Sequence, residues 1–333
     1  PFTSGDGSYS NPYEIRNAQD LANLAYMVRE EGEDYSGKHF VMTNDITLNE
    51  NLVNADCTVR NKGDSFQVWT PIGNNGRDNI FKGNFNGNSH TISGLFIEDN
   101  DYYNGLFGVV DEGTIRNLTI ADSYMCASYP FRSNFYGFIA GQTSNATLLN
   151  CHVKNSCVTN TGNDSWNKVA IGGLVGSSLK YDVFRKCSFN GNFVLHSFHI
   201  KSLVTAGGIL GVGNKVKLYS CSTKGKFKVT GSPAIGVYGI GSNIGDAYGC
   251  VAGMDFDIQT HGDYNLGSVT CPLDVASFSF SSGRCTLCTT YGTIKVGEPD
   301  NPVRVKPLGE QSRSVNNIRI GTFSSVGKLY QNH

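Results

Sequence analysis

The sequence predicts an all-β fold, a single-stranded parallel β-helix of about ten coils with one capping α-helix at its N-terminal end, and three observations predict it. An apolar cluster framed by glycines recurs as NGLFG at 104–108, YGFIAG at 136–141, GGLVG at 172–176 and GGILG at 207–211, with a degenerate GIGS at 239–242. A second signature follows each clear copy, read as Ile115-Leu118-Ile120, Leu148-Cys151-Val153, Phe184-Cys187-Phe189 and Leu218-Cys221-Thr223. The last glycine of the first signature and the middle residue of the second stay 10, 10, 11 and 10 residues apart, and two features at constant separation define a structural repeat. The third observation is composition: 40 glycines against 9 prolines favour many short strands joined by tight turns.

The cap comes first. In NAQDLANLAYMVREEG, Leu21, Leu24, Ala25 and Val28 follow the i, i+3, i+4, i+7 spacing of one helical face. Asn17 is placed to cap the first turn, Asp20 lies within it and Gly32 follows the last, so a helix is expected over 17–31. An open solenoid end exposes unpaired strand and core, which puts this helix across the first coil. Residues 1–38 are then the cap, 39–298 the β-helix and 299–333 a last coil and closing segment, one structural domain overall.

Copies of the second signature without a glycine cluster fall at Thr43-Ile46-Leu48 and Ile92-Leu95-Ile97, and later at Ala247-Cys250-Ala252, Cys285-Cys288-Thr290 and Val315-Ile318-Ile320. Middle residues from Leu95 onward are 23, 33, 36, 34, 29, 38 and 30 apart, one coil each, whereas the 49 between Ile46 and Leu95 suits two, with a hidden coil near Trp69. Two inward residues three apart break the two-residue alternation of a straight strand, so the chain must bend between them. Asn117, Asn150, Lys186, Ser220 and Gly249 sit at that break, and Asn and Gly tolerate a left-handed corner most cheaply.

The same register explains most of the ten cysteines. Cys151, Cys187, Cys221, Cys250 and Cys288 share one inward column, where Cys acts as a small hydrophobe and stacked β-carbons, about 4.8 Å apart, are too far apart for disulfides. Free stacked thiols are expected. Cys285-x-x-Cys288 falls on repeat positions and lacks a second ligand pair, so zinc is not expected.

A formal net charge of −1 gives no general attraction for nucleic acid, and no apolar run is long enough for a transmembrane helix. The chain opens at Pro1 without a basic and apolar leader, so it is either cytosolic or separated from its export signal. The HExxH, GxSxG, GxxxxGK[ST] and EF-hand patterns are absent.

Several phrases occur together in order: GDGSYSNPYEIRNAQDLANLA, FVMTNDITL, WTPIGNNGRDNIFKGNFNGNSHTISGLFI, then GLFG, GGLVG and GGILG. Over roughly residues 4 to 255 the chain resembles the GLUG-repeat proteins of bacterial surfaces, including adhesin-like proteins and the non-catalytic region of IgA-cleaving metallopeptidases. The resemblance implies a secreted or surface-anchored β-helix, extracellular or on the outer cell surface, whose signal or anchor segment lies outside this sequence. Its implied partner is a glycan or a host or cell-surface protein. It carries over no catalytic residues, and the cysteine column departs from what an exported protein usually shows.

Three candidate sites follow. In KGKFKV the outward residues are Lys224, Lys226 and Lys228, and one coil later GMDFDI turns Asp255 and Asp257 outward, so a 29-residue step sets Asp255 beside Lys226 and Asp257 beside Lys228. The favoured reading is a surface ion-pair ladder, because the lysines hold both acids ionised; the alternative is a catalytic carboxylate pair of a glycoside hydrolase or lyase on a β-helix. Residues 180–228 carry 9 Lys or Arg against Asp182 alone, a basic stretch that suits an anionic ligand or a solvated face. Exposed aromatics Tyr102, Tyr103, Tyr129, Phe131, Phe135 and Tyr136 would support sugar stacking. No cofactor is expected, with calcium at the acidic turn 98–101 the alternative, and the chain is expected to be a monomer.

Overall fold

In the computed structural model each repeat forms one coil whose strands pair in parallel with the coils before and after. The structure describes residues 2, 4–60, 66–74, 79–98, 102–128, 134–161, 168–197, 203–231, 235–260, 273–276, 278, 281–296, 303–306, 310–315, 318–319, 323–325 and 329–330. Its strands fall into sheets of 21, 8 and 5 strands, one for each side of the solenoid. On the first side Phe40, Phe85, Ile115, Leu148, Phe184, Leu218, Ala247 and Cys285 stand opposite one another on successive rungs, all buried. The fold is therefore the expected parallel β-helix. Strands Val303–Lys306 and Glu310–Val315 continue the parallel pairing on two of its sides.

The number of coils is smaller than expected. Among the described residues the third side has five strands, from Phe107–Asp111 to Gly241–Ser242, so five turns are complete on all three sides instead of about ten. Elsewhere that side is closed by single bridges: Ile72 to Phe107, Phe81 to Val110, and the Ile240 amide to the Phe278 carbonyl. The hidden coil near Trp69 does not exist either. Ile46 pairs directly with Ile92, and Trp69, Ile72 and Phe81 close the same coil, so the long spacing is an insertion.

Phase also differs at both ends of the repeat array. Ile92 pairs with Ile120, the third position of its signature, because Gly87 to His90 lengthen the corner after Phe85. The true early copies therefore start at Phe40 and Phe85 instead of Thr43 and Ile92. At the other end Ser314, not Val315, stands opposite Cys285.

The three-residue step is a left-handed corner. Asn117, Asn150, Lys186, Ser220, Gly249 and Leu287 all have φ between 51° and 60°. Asn150 Nδ2 donates to Asn117 Oδ1 at 3.2 Å, and Asn117 Nδ2 to Asn86 Oδ1 at 3.2 Å, so the corner amides bond along the rod. A second bend at Gly94, Asp122 and Asn155 ends there: the register shifts between Lys154 and Ser156, and Asn155 has no counterpart in the next coil. From that coil on, Ser188–Ser197, Ser222–Gly231 and Val251–Thr260 run straight for 10 residues each. This widens one flank of the rod into a flat face.

The glycine clusters make the corner between the second and third sides. Leu106, Ile139, Leu174, Ile209 and Ile240 point into the core there, and their amides bond carbonyls of the next coil. A β-carbon on Gly172 would lie 1.8 Å from the Val175 carbonyl oxygen, and one on Gly173 would lie 2.1 Å from that of Gly208. The paired glycine is thus one residue for the tight turn and one for the neighbouring coil.

Helix Ala18–Arg29 caps the first coil as expected, burying Leu21, Leu24, Ala25 and Val28. Asn17 Oδ1 accepts the Asp20 amide at 3.0 Å, while Asp20 accepts both the Arg16 amide and its Nε. Among the described residues no helix is long and apolar enough to cross a membrane.

The column cysteines are free and buried. Each thiol donates to the carbonyl two residues before it, as Cys187 does to Arg185 at 3.3 Å. Burial pushes the Cys187 thiol well up, and the Cys187 thiol does the same to Cys221. A disulfide that the sequence did not reveal joins Cys57 to Cys157. Cys157 stands on the outward side of its strand, so the bond fastens the insertion after Ile46 across the flank of later coils.

Candidate binding face

Two neighbouring flanks of the middle coils carry the candidate residues. On the flat flank, Lys224, Lys226 and Lys228 project from Ser222–Gly231 and are exposed. Strand pairing sets Lys226 opposite Asp255 and Lys228 opposite Asp257. The ion pair that forms is diagonal, Lys226 Nζ to Asp257 Oδ2 at 3.5 Å. Asp255 instead accepts the amide and the hydroxyl of Thr293 on the next coil, at 2.7 and 2.9 Å. Both acids are thus held by partners within the protein, an arrangement that leaves neither aimed at a bound substrate.

The adjoining flank comes from the short strands before the left-handed corner. Here Arg185, Tyr219, Tyr248 and Thr286 stand outward on successive rungs. The Arg185 guanidinium carbon lies 3.9 Å from the centre of the Tyr219 ring. Tyr248 is 49% exposed and faces the short Thr286 on the following rung. Lys186 at the corner and Lys217 beside Tyr219 are exposed, and Lys215 approaches the Tyr181 ring at 5.8 Å. The sequence reading counted Arg185, Lys186, Lys215 and Lys217 only as part of the basic stretch and missed Tyr219 and Tyr248, although each of these two immediately precedes a corner residue already in view, Ser220 or Gly249.

The lone acid of the basic stretch is removed from this surface. Asp182 is fully buried, accepting hydrogen bonds from Thr143 at 2.6 Å, Ser178 at 2.5 Å and the Ala146 amide at 2.7 Å. Burial raises its pKa above the ordinary carboxylate value despite these donors.

The aromatic candidates do not assemble as expected. Tyr136 is fully buried, its hydroxyl accepting from Asn134 at 3.2 Å, because strand alternation turns it into the core. It cannot stack on a sugar. Tyr102 and Tyr103 are half-buried, and the Tyr103 ring stacks on Phe135 at 5.5 Å. Tyr129 and Phe131 lie outside the described residues, as do Asp99 to Asp101 of the acidic turn. No cluster of potential metal ligands occurs among the described residues. At the capped end, Ala22, Tyr26, Leu48, Val68 and Trp69 line a groove of about 480 Å³.

Fold and faces together define a parallel β-solenoid with a basic flank on its middle coils. No family model matches the chain. A stretch of 126 residues is 37% identical to the "Putative Gly-rich membrane protein" of Evansella cellulosilytica, covering 37% of this chain and 12% of that protein. A stretch of 188 residues is 30% identical to Halomucin of Haloquadratum walsbyi, covering 56% of this chain and 2% of that protein. The chain thus spans a small fraction of both relatives. Among solved structures, a "putative immunoglobulin A1 protease" of Bacteroides ovatus superposes with a TM-score of 0.58 at 17% identity, covering 96% of this chain and 86% of that one. This likeness speaks for the fold alone.

Proposed function

We propose that this chain is part of a non-catalytic bacterial surface protein, secreted or anchored, that contacts a glycan or a host protein through the flank of its rod, in the manner of the GLUG-repeat proteins it resembles. The observation that carries the reading is the basic flank: exposed Lys and Arg side chains on the middle coils, with Asp182 sequestered in the core. The names of the two relatives, a membrane protein and a halomucin, support a place at the cell envelope. The enzyme reading is weaker because Asp255 and Asp257 are both engaged.

A glycan array and whole-cell binding, run beside reducing-sugar release, test it. Saturable binding without new reducing ends is expected, and Asp255→Asn with Asp257→Asn should leave binding within about twofold, since exposed ion pairs contribute little. Reducing ends that appear with the wild type and vanish in the double variant would establish the enzyme. Absence of binding to every glycan and cell type would make the rod a spacer.

A further inference from the structure

We propose that the flank formed by Arg185, Lys186, Lys217, Tyr219 and Tyr248 binds an extended, uronate-bearing polysaccharide lying along the rod axis. This rests on the reading of the chain as a surface-binding rod and assigns its ligand class and its site.

Charge comes first. Arg185, Lys186, Lys215 and Lys217 are exposed, and among the described residues none pairs with a carboxylate. The acid across from Lys217 is Asp246, whose Oδ1 accepts the Arg284 amide at 3.1 Å. These four cations on two successive coils outnumber that one acid and leave a positive strip that an anionic chain complements. A guanidinium matches a carboxylate in a two-point bond, and Arg185 is already ordered against the Tyr219 ring.

Aromatic character separates this strip from the lysines of the flat flank. Tyr248 and Tyr181 are 49% and 61% exposed, and the short Thr286 leaves space beside the Tyr248 ring on the following rung. Rings with that exposure offer apolar surface to the faces of pyranose rings, which lysine alone does not. Geometry sets the direction. The column Arg185, Tyr219, Tyr248 repeats at the strand spacing of about 4.8 Å, close to the advance per sugar of an extended polysaccharide. Successive sugars can therefore follow successive rungs, with carboxylates at Arg185, Lys186 and Lys217 and a ring face at Tyr248.

The probes are polygalacturonate, heparin, dextran and a single-stranded DNA oligomer, each titrated against the intact chain by biolayer interferometry at 50 and 300 mM salt. Polygalacturonate should bind at both salts, weakening as salt rises, and dextran should not bind. The triple variant Arg185→Gln, Lys186→Gln, Lys217→Gln should lose at least about tenfold at low salt. Tyr248→Ala should lose about threefold to tenfold at both salts, and Tyr248→Phe should retain binding. Lys224→Gln with Lys226→Gln and Lys228→Gln should change it less than about threefold. Circular dichroism checks that each variant keeps the wild-type fold.

Polygalacturonate binding that survives the patch variants and disappears with the lysine variants would overturn the site while leaving the surface-rod reading intact. DNA bound as well as polygalacturonate and heparin, with Tyr248→Ala silent, would reduce the strip to a general polyanion surface and overturn the ligand class. Absence of binding to all four probes overturns the inference; only the wider glycan and cell screen decides the parent reading.

Discussion

Replacing Phe227 by Ala should open the solenoid at its middle. Phe227 is fully buried, with its ring 4.2 Å from that of Phe193 and 5.3 Å from that of Phe256, both nearly parallel. Truncation of such a side chain leaves a cavity and costs about 3 to 5 kcal/mol, and the two lost ring pairs, at about 0.5 to 1.5 kcal/mol each, place it toward the upper end. Phe227→Leu fills most of the volume but forfeits both ring pairs, and should cost about 1 to 3 kcal/mol. Because each coil contacts only its neighbours, the loss should be local. Hydrogen exchange resolved by peptide should show faster exchange over 188–197, 222–231 and 251–260, while the amides of helix Ala18–Arg29 remain as protected as in the wild type. A uniform increase across the chain, or a cost below about 1 kcal/mol, would refute the picture of a stacked core with nearest-neighbour coupling.

Three further outcomes are expected. Peptide mapping without reduction should recover Cys57 joined to Cys157, with Cys151, Cys187, Cys221, Cys250 and Cys288 unreactive until the chain is denatured; replacing both bonded cysteines by Ser should cost up to about 4 to 5 kcal/mol, the closure entropy of a loop of that length. Thr223 has a buried hydroxyl without a hydrogen-bond partner among the described residues, and Thr223→Val should raise stability by about 1 to 2 kcal/mol in urea denaturation. Two carboxylates should act on stability with opposite pH dependence. Burial raises the pKa of Asp182, so its folded form holds a proton more tightly than the unfolded chain and stability falls as pH rises through the window above its ordinary value of 3.8. Hydrogen bonding to Arg16 lowers that of Asp20, whose contribution is present above that value and lost as pH falls below it. Asp182→Asn should abolish the first slope and Asp20→Asn the second.

What was legible in the sequence was whatever repeats. The corner column from Asn117 to Gly249 and the free thiols from Cys151 to Cys288 followed from a three-residue step at fixed spacing, because a left-handed turn and a buried column each restrict residue type. The helix was legible from one apolar face and its cap at Asn17. Departures from the period were not. Two extra residues in the corner Gly87 to His90 shifted the apparent phase of the early copies, and the insertion after Ile46 looked like a coil because Trp69 and Ile72 are apolar like coil residues. Cys57 and Cys157 are 100 residues apart, and no local pattern links them. Asp182 read as surface charge, because its burial depends on Thr143 and Ser178 meeting it at the corner. Tyr136 read as exposed because the inward phase of the second side could not be fixed without its partner strands.

The account rests on outward residues forming straight columns along the rod, and one distance tests this most directly. Arg116 and Thr286 stand in the same outward column as Leu149, Arg185, Tyr219 and Tyr248, five rungs apart. Nitroxide labels on Arg116→Cys and Thr286→Cys leave the buried native thiols unmodified and can be measured by double electron–electron resonance. Stacked rungs predict a single narrow distribution centred near 24 Å, with a few ångströms added by the label arms. A broad distribution, or a centre beyond about 35 Å, would contradict the column and with it the binding face built on it.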